Sequence, residues 1–376
     1  MLIRAKRPPA RICLTALAAL VLGGCARQGA WNPPAAASYL DGRAQQWLDW
    51  RDAARAQNTV CISCHTALPY LLSRGVLGQV AHRAATPAPE QRLLASVRER
   101  VRLGTGLPPY YPGQAVPSRA TEAVLNALIL VHRDAPSGQL SPVSETALHE
   151  MWALQLASGP DAGSWPWIRF NNEPWEADDS GYYGAALAAL AIAIAPQEYR
   201  LRPGIQDDLA RLRGYLTRAY DAQPLLNRIE LLWAAARLPD WIAPDRRDAL
   251  IAQIWAHQRA DGGWNVASLM PDWKRHDGTA QPRGSDGYAT GLVTLALQQS
   301  GIAPSDVRLQ RGLNWLRAHQ SHWNGGWSAA SLNRHRGLRD GNPRHFMDDA
   351  ASAFAVLALV QAGSSNPAAQ PPDRQP

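Results

Sequence analysis

Two kinds of apolar pattern alternate along the chain. The first is amphipathic: Arg311-Gly-Leu-Asn-Trp-Leu-Arg-Ala-His-Gln320, Ile254-Trp-Ala-His-Gln258 and Met151-Trp-Ala-Leu-Gln155 each read as one-faced helices ending in Gln. A short Gly turn follows each, and then a Trp: Trp327, Trp264 and Trp165. The second pattern is almost wholly small and apolar, as in Gly184-Ala-Ala-Leu-Ala-Ala-Leu-Ala-Ile192, Thr290-Gly-Leu-Val-Thr-Leu-Ala-Leu297 and Ala353-Phe-Ala-Val-Leu-Ala-Leu359. A helix apolar on every side is buried on every side, so the second kind forms the core and the first covers it.

The core helices are expected to start near Thr66, Thr121, Ser180, Asn227, Asp286 and Asp349, at steps of 55, 59, 47, 59 and 63 residues. Each step accommodates two helices and their loops. Six pairs that cannot bury their inner faces alone predict an all-α fold, a single (α/α)₆ toroid with six inner and six outer helices; the alternative is an open solenoid of the same unit. The toroid is expected over residues 38–362, after a linker over 25–37 and before a Pro-, Ser-, Ala- and Gln-rich tail over 363–376 expected to be disordered.

The first 24 residues read as a signal peptide, with Arg4, Lys6, Arg7 and Arg11 ahead of a short apolar run from Leu14 to Leu22. Leu20-Val-Leu-Gly-Gly-Cys25 resembles a bacterial lipobox, which implies lipidation at Cys25 and an exported, periplasmic or envelope lipoprotein held to the membrane by that anchor. The alternative is an ordinary cleaved leader. The formal charge of +7 falls to about +3 without the leader's four cations, and no run of Lys or Arg suggests a nucleic-acid partner.

The Arg311–Trp327 segment resembles the repeat of squalene–hopene and oxidosqualene cyclases: a basic residue, Gly, an aromatic-Leu pair, Gln, then Gly-x-Trp. That resemblance implies the terpene cyclase and prenyltransferase type of toroid. It also implies that Gln155, Gln258, Gln320, Trp165, Trp264 and Trp327 are structural, each Gln capping a neighbour and each Trp stacking. Triterpene cyclases have two helical domains and this chain has room for one, so chemistry that needs a cavity between domains is not implied.

Cys61-Ile-Ser-Cys64-His65 has the spacing of a c-type haem attachment site. Two thiols add across the haem vinyls and the adjacent imidazole becomes an axial ligand of the iron, so Cys61, Cys64 and His65 are the candidate residues for a covalent haem c. A local disulfide and a metal site short of one ligand are the alternatives. His82, His132 and His149 are the candidate sixth ligands, and a haem would imply a redox partner.

Trp175-Glu176-Ala-Asp178-Asp179-Ser180 resembles the Asp-x-Asp-Asp-Thr motif of squalene–hopene cyclases, with Glu and Ser at its ends. The resemblance implies that Asp178 protonates an alkene, with Glu176 and Asp179 tuning it, because adjacent carboxylates resist ionising together. The competing reading is helix capping, since Ser285-Asp286 and Asp348-Asp349 open two further core helices. Converging helix starts would place Glu122, Asp178, Asp179, Asp286, Asp348 and Asp349 around one cavity, with Tyr182, Tyr183 and Tyr288 as aromatic walls. The leading expectation is a cavity for an apolar, isoprenoid-like molecule, acting as an acid-initiated cyclase or a haem-dependent redox enzyme. The alternatives are a carbohydrate-active enzyme on the same barrel and a non-catalytic haem-bearing electron-transfer or scaffold protein.

Overall fold

A computed structural model describes residues 30–82 and 85–364 of the 376. The leader, Cys25 and residues 365–376 lie outside the described residues, so the expectations placed on them are not addressed by the fold. Within the described residues the protein is all-α, with no strands and two isolated β-bridges.

Twelve long helices among the described residues alternate in character. The odd-numbered ones are α1 (Pro33–Leu48), α3 (Ala88–Leu103), α5 (Pro142–Ala153), α7 (Gln206–Ala219), α9 (Pro244–Ala256) and α11 (Val307–Ala318). The even-numbered ones are α2 (Ala67–Val80), α4 (Ala115–Asp134), α6 (Ser180–Ile194), α8 (Leu225–Ala235), α10 (Gly287–Gln299) and α12 (Phe346–Ser364). The odd helices bury one stripe: α7 buries only Leu212, Tyr215 and Leu216. In α6 every residue from Tyr182 to Ala193 is buried, as its pattern predicts. α12 is apolar enough to cross a bilayer by composition, but it lies mostly buried against α2 and α10.

Several boundaries differ from expectation. Pro33 at the first helical position starts α1 inside the predicted linker, with Asn32 Oδ1 accepting from Ala35 N at 3.0 Å. α4 starts at Ala115, so Glu122 lies a full turn or more inside it, and α12 continues to Ser364, into the predicted tail. α12 also starts three residues before Asp349.

Each even helix packs on the next, α2 on α4, α4 on α6, α6 on α8, α8 on α10 and α10 on α12, and α12 packs on α2. α10 comes close to α12 at Gly291, where a Cβ would sit 2.6 Å from the Ala355 backbone N.

The Gln and Trp residues join the odd helices. Gln155, Gln258 and Gln320 donate to the carbonyls of their own turns, Gly163, Gly262 and Gly325, and also to the first turn of the following odd helix, at Asp208 (3.1 Å), Arg308 (2.7 Å) and Asn32 (2.9 Å). Gln320 therefore ties the last odd helix to the first. Trp165, Trp264 and Trp327 are buried and donate to Met151, Ile254 and Leu316 carbonyls at 2.7 to 2.9 Å. Gly325 shows why the turn demands glycine: its φ is +81°, and a Cβ would lie 2.4 Å from the Ala35 carbonyl. Truncating one of these tryptophans costs about 3–5 kcal/mol.

Candidate functional site

At the N-terminal ends of the even helices the chain builds a sealed cluster. The segment before α2 is fixed by Trp47 Nε1 donating to the Cys61 carbonyl (2.8 Å) and by Ser63 Oγ accepting from Thr66 and Ala67 N. Cys61, Cys64 and His65 are 4%, 2% and 3% exposed, and neither cysteine is in a disulfide. Thr66 Oγ1 donates to Asp349 Oδ2 (2.6 Å), so it accepts from His65 Nδ1 (2.9 Å), which selects the Nδ1–H tautomer. Asp349 is held in turn by Arg43 at 2.6 and 3.0 Å. This buried relay, His65–Thr66–Asp349–Arg43, binds α2, α12 and α1 together.

Burial pushes the Cys61 thiol up to about 11 and raises Cys64 well above its ordinary value, while burial and Arg43 lower His65 to about 3. Two buried, protonated thiols are inert toward electrophiles. The Nδ1–H tautomer leaves Nε2 as the base an axial ligand needs. The surroundings are another matter. Phe346 stacks on the imidazole with centroids 3.6 Å apart, and Trp47 and Trp175 close on it at 5.3 and 5.6 Å. A porphyrin joined to both sulfurs would have to displace these rings. The residue types suit a haem; the packing around them does not fit one. His82 lies past the far end of α2, about 21 Å of helix from His65, and among the described residues no group of three His, Cys, Asp or Glu side chains is arranged to hold a metal.

The acidic motif is split by its backbone. Residues 170–179 form a tight loop, with an Asn172–Glu176 bridge and Phe170 N donating to Glu176 O at 2.7 Å. Glu176 points inward and is buried, and its carboxyl is raised to about 7 by burial. Asp178 points outward: its side chain is 86% exposed, 3.6 Å from Arg169. The structure therefore places Asp178 at the surface rather than in the dry pocket that the expectation of a proton donor called for. Asp179 occupies the N-cap position of α6 without making a side-chain cap bond, and instead lies beside Glu173.

Capping is the answer at one of the three places expected. Asp286 caps α10, accepting from Ala289 N (2.8 Å) and Val266 N (2.6 Å). Asp348 accepts from Ala329 N (3.0 Å), Asp349 holds Arg43, and Glu122 is paired with buried Arg100 under Tyr110. Each of these acids is held by partners within the protein, and none of them lines the cavity at the other end of these helices. Of the expected aromatic walls, Tyr183 and Tyr288 lie inward, while Tyr182 donates to the Leu216 carbonyl on α7.

Glu230 of α8 is the group that sequence reasoning missed. It is 4% exposed, its Oε1 has no hydrogen-bond partner, and burial alone raises its carboxyl to about 8. Tyr183 of α6 and Tyr288 of α10 feel its charge from either side. The signal was a lone acid inside the apolar segment Leu225-Leu-Asn-Arg-Ile-Glu-Leu-Leu-Trp233.

Three residues on, the same face of α8 carries Trp233, which lines a cavity of about 440 Å³ at the opposite ends of the even helices. All six even helices line it, through residues such as Leu71, Leu190, Trp233, Leu295 and Leu357, with His132 at the end of α4. Trp233 meets Phe354, which meets Tyr288, which meets Trp175 beside His65, at centroid distances of 5.9, 5.5 and 5.6 Å. This aromatic column fills the axis between the cavity and the sealed cluster. No protein-family model and no curated protein sequence matches this chain.

Proposed function

We propose that this chain is a single (α/α)₆ toroid of the terpene-cyclase kind that holds an apolar, isoprenoid-like molecule in its axial cavity. The observation that carries this is the cavity itself: one largely apolar space of about 440 Å³, with His132, Arg133 and Arg237 also in its wall, to which all six inner helices contribute. Its size and lining are those of a small-molecule site. The cycle of contacts from α2 round to α12 and back, and the Gln320–Asn32 bonds that join α11 to α1, support closure over an open solenoid.

Glu230 lies one turn from Trp233 and does not line the cavity, so acid-initiated cyclisation would require the ligand to reach past Trp233 to it. The Glu230 carboxyl is buried, stays protonated at neutral pH and has aromatic neighbours able to stabilise a cation. Export and anchoring through Cys25 belong to the same proposal and rest on the leader pattern; loss of radiolabelled palmitate from Cys25→Ser tests them. A covalent haem on Cys61 and Cys64 rests on residue types alone.

The direct test is titration of purified mature protein with farnesol and with squalene, read by native mass spectrometry and tryptophan fluorescence. Saturable one-to-one binding is expected, weakened about tenfold in Trp233→Ala, equivalent to about 1.4 kcal/mol. Absence of binding by either compound would sink the reading.

A further inference from the structure

We propose a second site on the outside of the helical body, a cleft that binds a neutral, hydroxyl-rich ligand of the sugar class. The cleft measures about 490 Å³ and lies between the loop that enters α6, the start of α8 and the loop after α9. It is separate from the axial cavity and shares no lining residue with it.

Three features of its wall point to such a ligand. Glu173 is 1% exposed and its Oε2 has no N–H or O–H donor; its neighbour is the Asp179 carboxyl, to which it is hydrogen-bonded. Burial beside the Asp179 carboxyl keeps the proton on Glu173 at neutral pH, so Glu173 presents a hydroxyl next to a second carboxyl. Next, Trp273 Nε1 and Arg228 Nε are buried donors without acceptors, on side chains of the same wall. Buried donors left unpaired cost free energy that a ligand oxygen would recover. Finally, the net charge is small. Asp221 is paired with Arg246 at 3.0 Å, the Glu173–Asp179 pair and Asp272 count as two negative charges, and Arg228 counts as one positive, with His257 also in the wall.

Donors, acceptors, an indole and little net charge suit a polyol. A phosphate would meet the carboxyl pair as a like charge, and an amine would meet Arg228. Sugar hydroxyls can accept from Trp273 and Arg228 while donating to the Glu173–Asp179 pair, and the indole offers a face for sugar C–H groups. Burial and the nearby Asp179 and Asp178 carboxyls raise Glu173 to about 9, which supports its role as a donor at neutral pH.

The test is saturation-transfer NMR and calorimetry on the mature protein with glucose, galactose, N-acetylglucosamine and cellobiose. Glucosamine and glucuronate serve as charged controls. At least one neutral sugar should bind with a dissociation constant on the order of millimolar. Glu173→Gln and Trp273→Phe should each weaken it about tenfold, the loss of one good hydrogen bond. Farnesol binding should be unchanged in both variants, which separates this site from the axial cavity and shows that both variants are folded. The proposal is overturned if no neutral sugar binds, if a charged control binds more tightly, or if neither substitution changes the affinity.

Discussion

The two ends of the same six even-numbered helices have opposite character. At the N-terminal ends, His65, Thr66, Asp349 and Arg43 are satisfied by one another and covered by Phe346, Trp47 and Trp175. At the C-terminal ends, Leu71, Leu190, Trp233, Leu295 and Leu357 face a cavity. The end richest in buried polar side chains is the one without room for a substrate, and the end with room is walled mainly by apolar residues, with His132, Arg133 and Arg237 also in its lining. Reactive residue types alone therefore do not mark a site. They must also have space beside them, and a polar group whose partners are all protein is doing structural work.

The largest way to break this contrast is Asp349→Ala. It strands Arg43 in the core and removes the acceptor for Thr66, and we expect a loss of about 3–5 kcal/mol in urea denaturation. A loss under about 1 kcal/mol would mean that the cluster is not the structural clasp described here.

Glu230→Gln sharpens the contrast through pH. The carboxyl titrates near 4.5 in the unfolded chain and at about 8 in the fold. Between those values the native state holds the extra proton, so stability falls as pH rises through the window and levels off above it. The variant should lack this fall and be the more stable protein at pH 8.5, by a few kcal/mol. His65 works with the opposite sign: its folded value of about 3 lies below the ordinary 6.5, so its contribution is lost as pH drops through that range. Parallel pH profiles for the two proteins would show that Glu230 is not held neutral.

A smaller effect is kinetic. Cys61 and Cys64 should react with iodoacetamide at least about a hundredfold more slowly in the native protein than in urea. A pyridine haemochrome spectrum of protein matured in a host with haem-attachment machinery should show no c-type band. A stoichiometric band would mean that Phe346, Trp47 and Trp175 open in the cell, and the sealed end would become the redox end. The smallest effect belongs to Asp178→Asn, which should change stability by no more than about 0.5 kcal/mol and leave farnesol binding unaltered. A large loss there would restore the surface acid to the mechanism.

Much of the fold was legible. The helix types could be read because a segment such as Gly184–Ile192 has no polar face to offer water, whatever packs on it. The Gly-Trp turns were legible because φ near +81° at Gly325 and the backbone contact beside it leave no choice of residue. Boundaries were less so: Pro33 and Asn32 carried a start signal in what read as linker. The site was the least legible part. Glu176, Asp178 and Asp179 are neighbours in sequence, yet a tight loop turns one into the core, one to solvent and one toward Glu173.

The sequence by itself determined which helices are core and which are cover, where the turns fall and which Gln and Trp residues stitch the repeats. These are local properties, set by each segment's own periodicity and backbone preference. Only the tertiary structure decided which carboxyls stay dry, that Cys61, Cys64 and His65 are closed in, and that the cavity opens at the other end. Burial and free volume are properties of surfaces brought together from six distant segments, and no single segment encodes them.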